Sequence, residues 1–589
     1  MLKRNKIKMI ISFVFLLTAV LNVSVLGAEP FNFFGRNNFV NVKIAIIHYF
    51  PALGEVEENT DGLTELIEEA LENGANIVVT PELSTTGFSI TREQVNDELG
   101  FIEPFTELEE IETLADEEDA YVFVGIAEKT NGDDIYNSVA IFGPDGYIGK
   151  QQKRGLSGWQ ERGGLPFDVI QTEYGEIASI ICSDSYLPDW VRTLTLKGAD
   201  IVLLSANWWG TDQDTIWRTR ARENGLWMFV ANRWGEETDD RWGYPYNYYM
   251  NDAPSVAISP SGEFKLFYKS EDDPEPENKI FYQDIQIPQC RIGSTFNPVY
   301  SINSRSVDSY SEIRNEYYRP DLDNAAPPDL PNPGVYQVAS LAYTPSCRPE
   351  ENLSEINTIW NNGSDDADIV VLPGLGVTPG CTAFDENWYT QYPWSDLRDF
   401  VDLKEIKLLV TTAINNDNNQ FGIALVIMQE GLEPIFVDEV HDYFMLSGTY
   451  SQPYFIDLPQ ARIGIMTGID SLFPEMSTAL SKSGVDFLLI SSIIGANSDM
   501  LHNVPLNSSW NKDSLIALWK TRTNHVFHLA AADKTGVSII VSSKWGSVDQ
   551  VMLGDSQNPR AQLELDSAAV RSKYLNAYYP FDFVGLLGE

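Results

Sequence analysis

The stretch ANIVVTPEL at residues 75–83 has a counterpart, ADIVVLPGL, at residues 367–375. In each copy a run of apolar and β-branched residues ends at a proline, which is typical of a buried strand that leaves its sheet into a loop. An apolar run and a segment with helical spacing precede each copy, starting at Lys43 and at Tyr336. A strand, a helix and a second strand form one unit of an α/β sheet. The sequence therefore predicts the same α/β unit in both halves of the chain.

The similarity between the halves continues downstream. IASIICSDSYLPDWVRTLTLKGADIVLLSANW, from Ile177, matches RIGIMTGIDSLFPEMSTALSKSGVDFLLISSII, from Arg462. WRTRAREN, from Trp217, matches WKTRTN, from Trp519. Several segments matched in the same order indicate a repeat of domain size rather than a chance likeness of two βα units. A chain of 589 residues is also too long for one ordinary core.

The repeat sets the expected domain boundaries. We predict one domain over 43–290 and a second over 335–589. The intervening residues 291–334 are a predicted linker, which ends in the proline-rich stretch RPDLDNAAPPDLPNPG. Short apolar runs alternate with helical segments in both domains. This alternation favours α/β architecture with strands that are buried on both faces.

The N-terminus has the layout of a signal peptide. Four basic residues precede an apolar stretch from about Met9 to Leu26, and the small residues Gly27 and Ala28 follow. We predict a signal peptide over 1–28 and a secreted, periplasmic or otherwise extracytoplasmic protein. Membrane attachment is expected only if this segment stays uncleaved, because its apolar stretch approaches spanning length. In an exported chain the cysteines outside position 182 are able to form a disulfide, whose pairing among Cys290, Cys347 and Cys381 stays open.

Composition argues against several kinds of partner. A net charge of −45 repels phosphate groups, so we expect no nucleic-acid binding. The cysteines show no C-x-x-C spacing, and the chain has only five histidines, so no metal site is expected. No sequence pattern calls for an organic cofactor. The expected partner is a small molecule.

Chemically useful side chains lie in three loops of the first half. Glu82 follows a buried strand, Lys153 follows a turn at GPDG, and Cys182 lies at a strand-to-helix junction. In open α/β sheets, reactive groups gather beyond the carboxyl ends of strands. A carboxylate can act as general base for a thiol, and an ammonium group can stabilise an oxyanion. Taken singly, each residue has an ordinary interpretation, as a core cysteine or as a solvated charge.

Together these loops resemble the carbon–nitrogen hydrolase family, also called the nitrilase superfamily. The family motifs look like PEL around Glu82, K-x-x-L from Lys153 and C-x-D-x-x-x-P-[DE] from Cys182. The resemblance implies a glutamate base, a lysine and a cysteine nucleophile at these positions, and no cofactor. It also implies a four-layer αββα sandwich, so we expect two tandem domains of this type. Glu161 fits the family's second glutamate, and the backbone N–H of Ser183 is expected to help Lys153 to stabilise the oxyanion. Asn207 and Trp208 end the matching segment GADIVLLSANW, and Trp208 and Trp209 are expected to line the pocket.

Two positions depart from the family pattern. Gly155 stands where a histidine is frequent, and Ser183 stands where an aromatic residue is usual. Both positions border the expected pocket, so the family is a weak guide to the substrate. The aromatic stretch at 232–249 is expected to form a loop at the pocket rim.

The second half has lost the chemical groups. Gly374 stands opposite Glu82 and Gly468 opposite Cys182, and no lysine occurs between Lys407 and Lys482. Removing one member of a catalytic set removes most of the rate, so such a set is kept or lost as a unit. We therefore interpret 335–589 as a degenerate, catalytically inactive copy. Family subunits commonly associate through outer helices, so the second domain is expected to replace a partner subunit in an intramolecular pseudo-dimer.

The function that the resemblance implies is hydrolysis of a non-peptide carboxamide through a cysteine thioester. Alternatives are acyl transfer to an amine, attack on a nitrile, and a non-catalytic scaffold that binds carbohydrate or peptide through aromatic side chains. A thiol at Cys182 with a lowered pKa is expected for an enzyme, and an inert thiol for a scaffold.

Overall fold

The structure is a computed structural model that describes the greater part of the chain. The described residues are 39–132, 134–155, 160, 163–164, 166, 168–210, 213–240, 244–288, 329–363, 366–377, 394–417, 420–438, 453–494, 511–544 and 547–573. The predicted signal peptide, most of the predicted linker, Glu161, Cys290 and Cys381 lie outside these ranges. Within these ranges, no helix combines bilayer-spanning length with a sufficiently apolar sequence.

Residues 39–288 form two six-stranded sheets and a two-stranded hairpin. The strands are β1 (Phe39–His48), β2 (Ile77–Val79), β3 (Tyr121–Lys129), β4 (Ile135–Gly143), β5 (Gly146–Gln152), β6 (Val169–Thr172), β7 (Gly175–Ile181), β8 (Ile201–Ala206), β9 (Trp227–Asn232), β10 (Glu236–Asp239), β11 (Tyr246–Tyr249), β12 (Ser255–Ile258), β13 (Phe264–Tyr268) and β14 (Lys279–Pro288). The sheet orders are β14-β1-β2-β3-β4-β5 and β13-β12-β9-β8-β7-β6, and β10 pairs with β11.

The two large sheets stack face to face, and helices cover their outer sides. The longer helices are α1 (Val56–Glu72), α2 (Glu109–Glu117), α3 (Pro188–Leu196) and α4 (Gln213–Asn224). Along β1, Ile44 and Ile46 point into the core between the sheets, whereas Ala45 and Ile47 pack in the cluster that contains α1 and α2. This alternation of faces is the period of a strand. The side chains of α3 and α4 pack on the second sheet, which completes four αββα layers.

Residues 335–566 repeat this arrangement. The strands are β15 (Val335–Leu341), β16 (Ile369–Gly374), β17 (Leu408–Asp417), β18 (Gln420–Met428), β19 (Ile435–Asp438), β20 (Tyr454–Leu458), β21 (Ala461–Thr467), β22 (Phe487–Ser492), β23 (His528–Asp533), β24 (Val537–Lys544), β25 (Ser547–Gly554) and β26 (Arg560–Asp566). The helices are α5 (Pro349–Asn361), α6 (Trp394–Leu403), α7 (Pro474–Lys482) and α8 (Lys512–Arg522). The sheet orders, β26-β15-β16-β17-β18-β19 and β25-β24-β23-β22-β21-β20, match the first half strand for strand. The predicted fold, two tandem αββα sandwiches, is confirmed.

The sheet pairings decide where the loops of the first half meet. β2 runs parallel to β1 and β3, and β7 runs parallel to β8, which runs parallel to β9. Residues that follow β2, β7 and β8 therefore leave the two stacked sheets at their carboxyl ends. Such ends are where open α/β sheets place their sites.

Candidate active site

Cys182 starts a short 3₁₀ turn, Cys182–Tyr186, directly after β7. Its φ of 46° lies in the left-handed region, which residues other than glycine rarely adopt. The residue is 7% exposed, and Sγ makes a long contact of 3.9 Å with the backbone oxygen of Asn207. A backbone strained in this way at the end of a strand is typical of a functional position.

Glu82 lies just beyond β2 and is fully buried. Its Oε1 accepts hydrogen bonds from Lys153 Nζ at 2.6 Å and from Asn137 Nδ2 at 2.7 Å. Its Oε2 accepts from the backbone N–H of Asn207 at 2.9 Å. A carboxylate buried away from water needs donors of this kind. The structure thus brings Glu82 and Lys153 together as a buried ion pair next to the loop that follows β8.

Lys153 stays charged in this buried position. Burial by itself lowers the pKa of Lys153, but its electrostatic interactions outweigh that effect and raise the pKa above its usual value, the carboxylate of Glu82 contributing most. The site therefore contains a fixed positive charge with little access to solvent. Such a charge is suited to stabilising negative charge that develops on a bound reactant.

The pKa of the Cys182 thiol is raised, which is opposite to the direction expected for an enzyme. Burial raises the pKa of Cys182 above its usual value, and the charge of Glu82 raises it further. The charge of Lys153 and the contact with Asn207 act in the opposite direction but do not compensate. The thiol is therefore neutral at pH 7. Glu82 is the carboxylate whose charge acts on it.

Asp184 is a residue of the site that the sequence reasoning missed. Its carboxylate accepts backbone N–H bonds from Gly155 at 2.8 Å and from Arg154 and Ile181 at 3.3 Å. It thereby ties the loop after Lys153 to the turn that carries the thiol. Burial raises its pKa to about 7, although the charge of Lys153 and these N–H groups lower it. The signal was present as the aspartate of the C-x-D motif.

Asn137, the third residue of β4, was also missed. Its side chain donates to Glu82, and its backbone oxygen accepts from the N–H of Lys153 at 2.8 Å. One residue thus positions both members of the ion pair. The sequence signal was an amide next to a serine within the largely apolar segment IYNSVAIFG.

The other predicted residues lie around these groups. Ser183 is the second residue of the 3₁₀ turn and is half-buried. Asn207 is buried, and within the described part of the chain its side-chain nitrogen and oxygen have no hydrogen-bond partner. Trp208 is buried against Tyr186 and Trp217, and its backbone N–H donates to Asn232. A buried carboxamide with both functions unused beside Glu82 is suited to hydrogen bonding with a bound reactant.

Part of the aromatic stretch at 232–249 is paired as strands, whereas a loop is predicted there. It forms the β10–β11 hairpin, in which Glu237 opposes Tyr248. The ring centroid of Tyr248 lies 4.4 Å from that of Trp209 and 5.4 Å from that of Phe88. The Glu237 carboxylate accepts the N–H groups of Phe88 and Ser89. The hairpin is therefore fastened to the loops that follow Glu82 and Asn207.

The second half has no room for a glutamate or cysteine side chain at the positions that correspond to Glu82 and Cys182. A Cβ atom at Gly374 would lie 2.3 Å from Cγ2 of Ile493 and 2.5 Å from the backbone oxygen of Ser492. A Cβ atom at Gly468 would lie 2.3 Å from Oγ of Ser492. Ile493 and Ser492 thus occupy the space that Glu82 and Cys182 need in the first half.

Comparison with known proteins assigns the family. Residues 43–263 match the family described as carbon-nitrogen hydrolase. A nitrilase of Pyrococcus abyssi is 35% identical over 201 residues, which cover 33% of this chain and 76% of that protein. An N-carbamoylputrescine amidase of Oryza sativa is 30% identical over 220 residues, covering 33% and 72%. A carbon–nitrogen hydrolase structure from Helicobacter pylori aligns with a TM-score of 0.36 at 22% identity, covering 41% and 88%. The chain belongs to the carbon–nitrogen hydrolase family, the cysteine-dependent hydrolases also called the nitrilase superfamily.

Proposed function

We propose that the protein hydrolyses the C–N bond of a small, non-peptide carboxamide, with Cys182 as nucleophile, Glu82 as general base and Lys153 as oxyanion stabiliser. The observation that carries this proposal is the buried Glu82–Lys153 pair, whose two charges both act on the thiol. A binding scaffold has no use for a buried carboxylate, a buried ammonium and a thiol on a strained turn in one place.

The first half of the reaction forms a thioester. Glu82 takes the proton of the thiol as Sγ attacks the carbonyl carbon, because a neutral thiol is a weak nucleophile. The carbonyl oxygen becomes an oxyanion, which the Lys153 ammonium stabilises, helped by the backbone N–H of Ser183. Glu82 then gives its proton to the nitrogen, the C–N bond breaks, and ammonia or an amine leaves.

The second half releases the acid. A water molecule gives a proton to Glu82 and attacks the thioester carbon, and Lys153 again faces the oxyanion. When the C–S bond breaks, the proton on Glu82 returns to sulfur, and the carboxylic acid departs. Acyl transfer would follow the same path with an amine in place of water.

A panel of linear amides, assayed with and without added amines, tests the proposal. Cys182→Ala is expected to abolish turnover and to leave the fold intact. Lys153→Met is expected to lower kcat strongly, whereas Lys150→Met, which changes a lysine of β5 that pairs with Glu103 and Glu128, serves as the matched control. Normal turnover by the Cys182→Ala variant on a confirmed substrate would contradict the nucleophile assignment.

Nitriles form a second arm of the panel, because the relative at 35% identity is named a nitrilase. The same thiol can add to a nitrile carbon, and two water molecules are then needed to reach the acid. Turnover of nitriles but not of amides would reassign the substrate class and leave the site residues unchanged.

We further propose that the protein is exported and that its second half is catalytically inactive. The basic and apolar segments of residues 1–28 support export. Gly374 and Gly468, with their filled surroundings, support an inactive second half. N-terminal sequencing of the secreted protein tests the cleavage site, and retention of residues 1–28 in the mature protein would contradict it.

A further inference from the structure

The two halves meet through helices that carry polar residues on buried surfaces. α3 packs on α7, and α4 packs on α8. Asp189 of α3 accepts a hydrogen bond from Thr478 of α7 at 2.5 Å, and Arg192 of α3 lies 3.4 Å from Glu475 of α7. In the repeat, Asp189 corresponds to Glu475 and Arg192 to Thr478, so the contacts are reciprocal. Reciprocal pairs of this kind are the signature of a two-fold interface, here built within one chain.

Each half also has a buried arginine that binds the turn after one of its strands. This strand is β7 in the first half and β21 in the second half. Arg220 donates from Nε to the backbone oxygen of Ser185 at 3.0 Å and from Nη2 to that of Tyr186 at 2.8 Å. At the corresponding position, Arg522 donates to the backbone oxygens of Ser471 at 2.9 Å and Leu472 at 3.2 Å. In the first half this turn is the one that begins with Cys182.

The carboxylate of Glu223 lies between the two arginines. Glu223 Oε1 accepts from Arg220 Nη1 at 2.7 Å, and Glu223 Oε2 lies 2.8 Å from Arg522 Nη1. The second contact is chiefly Coulombic, because the N–H groups of Nη1 do not point at the oxygen. All three side chains are completely buried. Burial raises the pKa of Glu223, but Arg522, Arg220 and Arg192 outweigh it and lower the pKa, so Glu223 is ionised.

Sharing this carboxylate leaves Arg220 able to hold the Cys182 turn. With Arg522 facing Oε2, Arg220 needs only Nη1 for Glu223 and keeps Nε and Nη2 for Ser185 and Tyr186. Ser185 is also bound inside the turn, because its Oγ donates to the backbone oxygen of Cys182 at 2.9 Å. Without Arg522, the buried oxygen of Glu223 would draw Arg220 into a two-pronged contact, which arginine and carboxylate favour. The turn would then lose its anchor.

We propose that Arg522, from the half without catalytic groups, is a positioning residue for the Cys182 turn of the other half, acting through Glu223 and Arg220. This inference rests on the proposed function of Cys182. It gives the second half a specific role, because Arg522 supplies the charge that a partner subunit would otherwise have to supply.

The full chain carrying Arg522→Met tests the proposal, with Arg462→Met as the matched control. Arg462 is a buried arginine of the second half that binds Asp457 and the backbone oxygen of Ser483. The readouts are kcat and KM on the amide found by the panel, and the rate at which iodoacetamide alkylates Cys182, followed on its own peptide by mass spectrometry. Circular dichroism monitors the fold.

Arg522→Met is expected to lower kcat about 10- to 100-fold, with KM within about twofold, because the attacking atom is misplaced and substrate contacts are kept. The alkylation rate of Cys182 should fall together with kcat. Arg522→Lys should recover part of kcat, and Arg462→Met should leave kcat and alkylation unchanged. Wild-type kcat and alkylation in Arg522→Met, or an equal loss in Arg462→Met, would overturn the proposal.

A second variant covers the case in which Arg522→Met does not fold. Arg522→Gln removes the positive charge, keeps a polar side chain at the buried position and leaves Glu223 paired with Arg220, so no ion stays buried and unpaired. This variant is expected to fold and to show reduced kcat, and wild-type kcat in it would overturn the inference. The proposed function is tested independently of this inference. It requires the Cys182→Ala variant to be inactive, irrespective of the result for the Arg522 variants.

Discussion

Lys153 Nζ lies 2.6 Å from Glu82 Oε1, and both side chains are buried. The two residues act on the Cys182 thiol in opposite directions, since the carboxylate raises its pKa and the ammonium lowers it. Because burial adds to the effect of the carboxylate, the thiol is neutral at pH 7. The proposed reaction therefore depends on this ion pair, since Glu82 has to take the thiol proton for the attack to occur.

Glu82→Gln is expected to have opposite effects on two rates. Turnover should fall about 10²- to 10⁴-fold, because the general base is lost. Alkylation of Cys182 by iodoacetamide at pH 8 should become faster, because removal of the negative charge lowers the thiol pKa while Lys153 stays in place. Lys153→Met is the control and should slow alkylation. A slower alkylation in Glu82→Gln would show that Glu82 does not hold the proton on sulfur.

Asp184→Asn is expected to change how stability depends on pH. In the folded protein the pKa of Asp184 is raised from 3.8 to about 7, so the folded state binds the extra proton between these values. The stabilisation from this group is therefore complete below pH 4 and is lost as the pH rises to about 7. The difference in unfolding free energy between wild type and Asp184→Asn should fall by at most about 1.4 kcal/mol per pH unit over this interval.

Urea unfolding at several pH values between 4.5 and 8 measures this difference. Asp168→Asn, at an aspartate whose side chain is 81% exposed, is the control and should run parallel to wild type. A difference between wild type and Asp184→Asn that does not vary with pH would mean that Asp184 ionises as readily in the folded state as in the unfolded state.

Gly374→Ala and Gly468→Ala are expected to destabilise the protein by about 1–3 kcal/mol each, as overpacking does. The added methyl group would lie 2.3 Å from Ile493 in one case and from Ser492 in the other. Gly149→Ala is the control, because a Cβ atom there meets nothing within 4 Å. Thermal unfolding measures the effect. Unchanged stability in both variants would indicate that the second half retains space for catalytic side chains.

Much of the fold followed from patterns that are local in sequence. The apolar runs around Ile77 and Ile369 and the helical spacing before them gave two α/β halves, because strand and helix periods are written into neighbouring residues. Glu82, Lys153 and Cys182 were identified by the family resemblance of their three loops, because each residue taken singly also fits an ordinary role. The hairpin at 236–249 was missed as a hairpin, since its strands are short and its aromatic residues gave no clear alternation.

The sequence by itself determined the α/β repeat, the loops that carry the reactive groups and the loss of those groups at Gly374 and Gly468. Only the tertiary structure decided the direction of the Cys182 pKa, the roles of Asn137 and Asp184, and the contact of Glu223 with Arg522. The physical reason is distance along the chain. Burial and charge–charge contacts join residues far apart in sequence, and only the packed sheets and helices bring them within a few ångströms of one another.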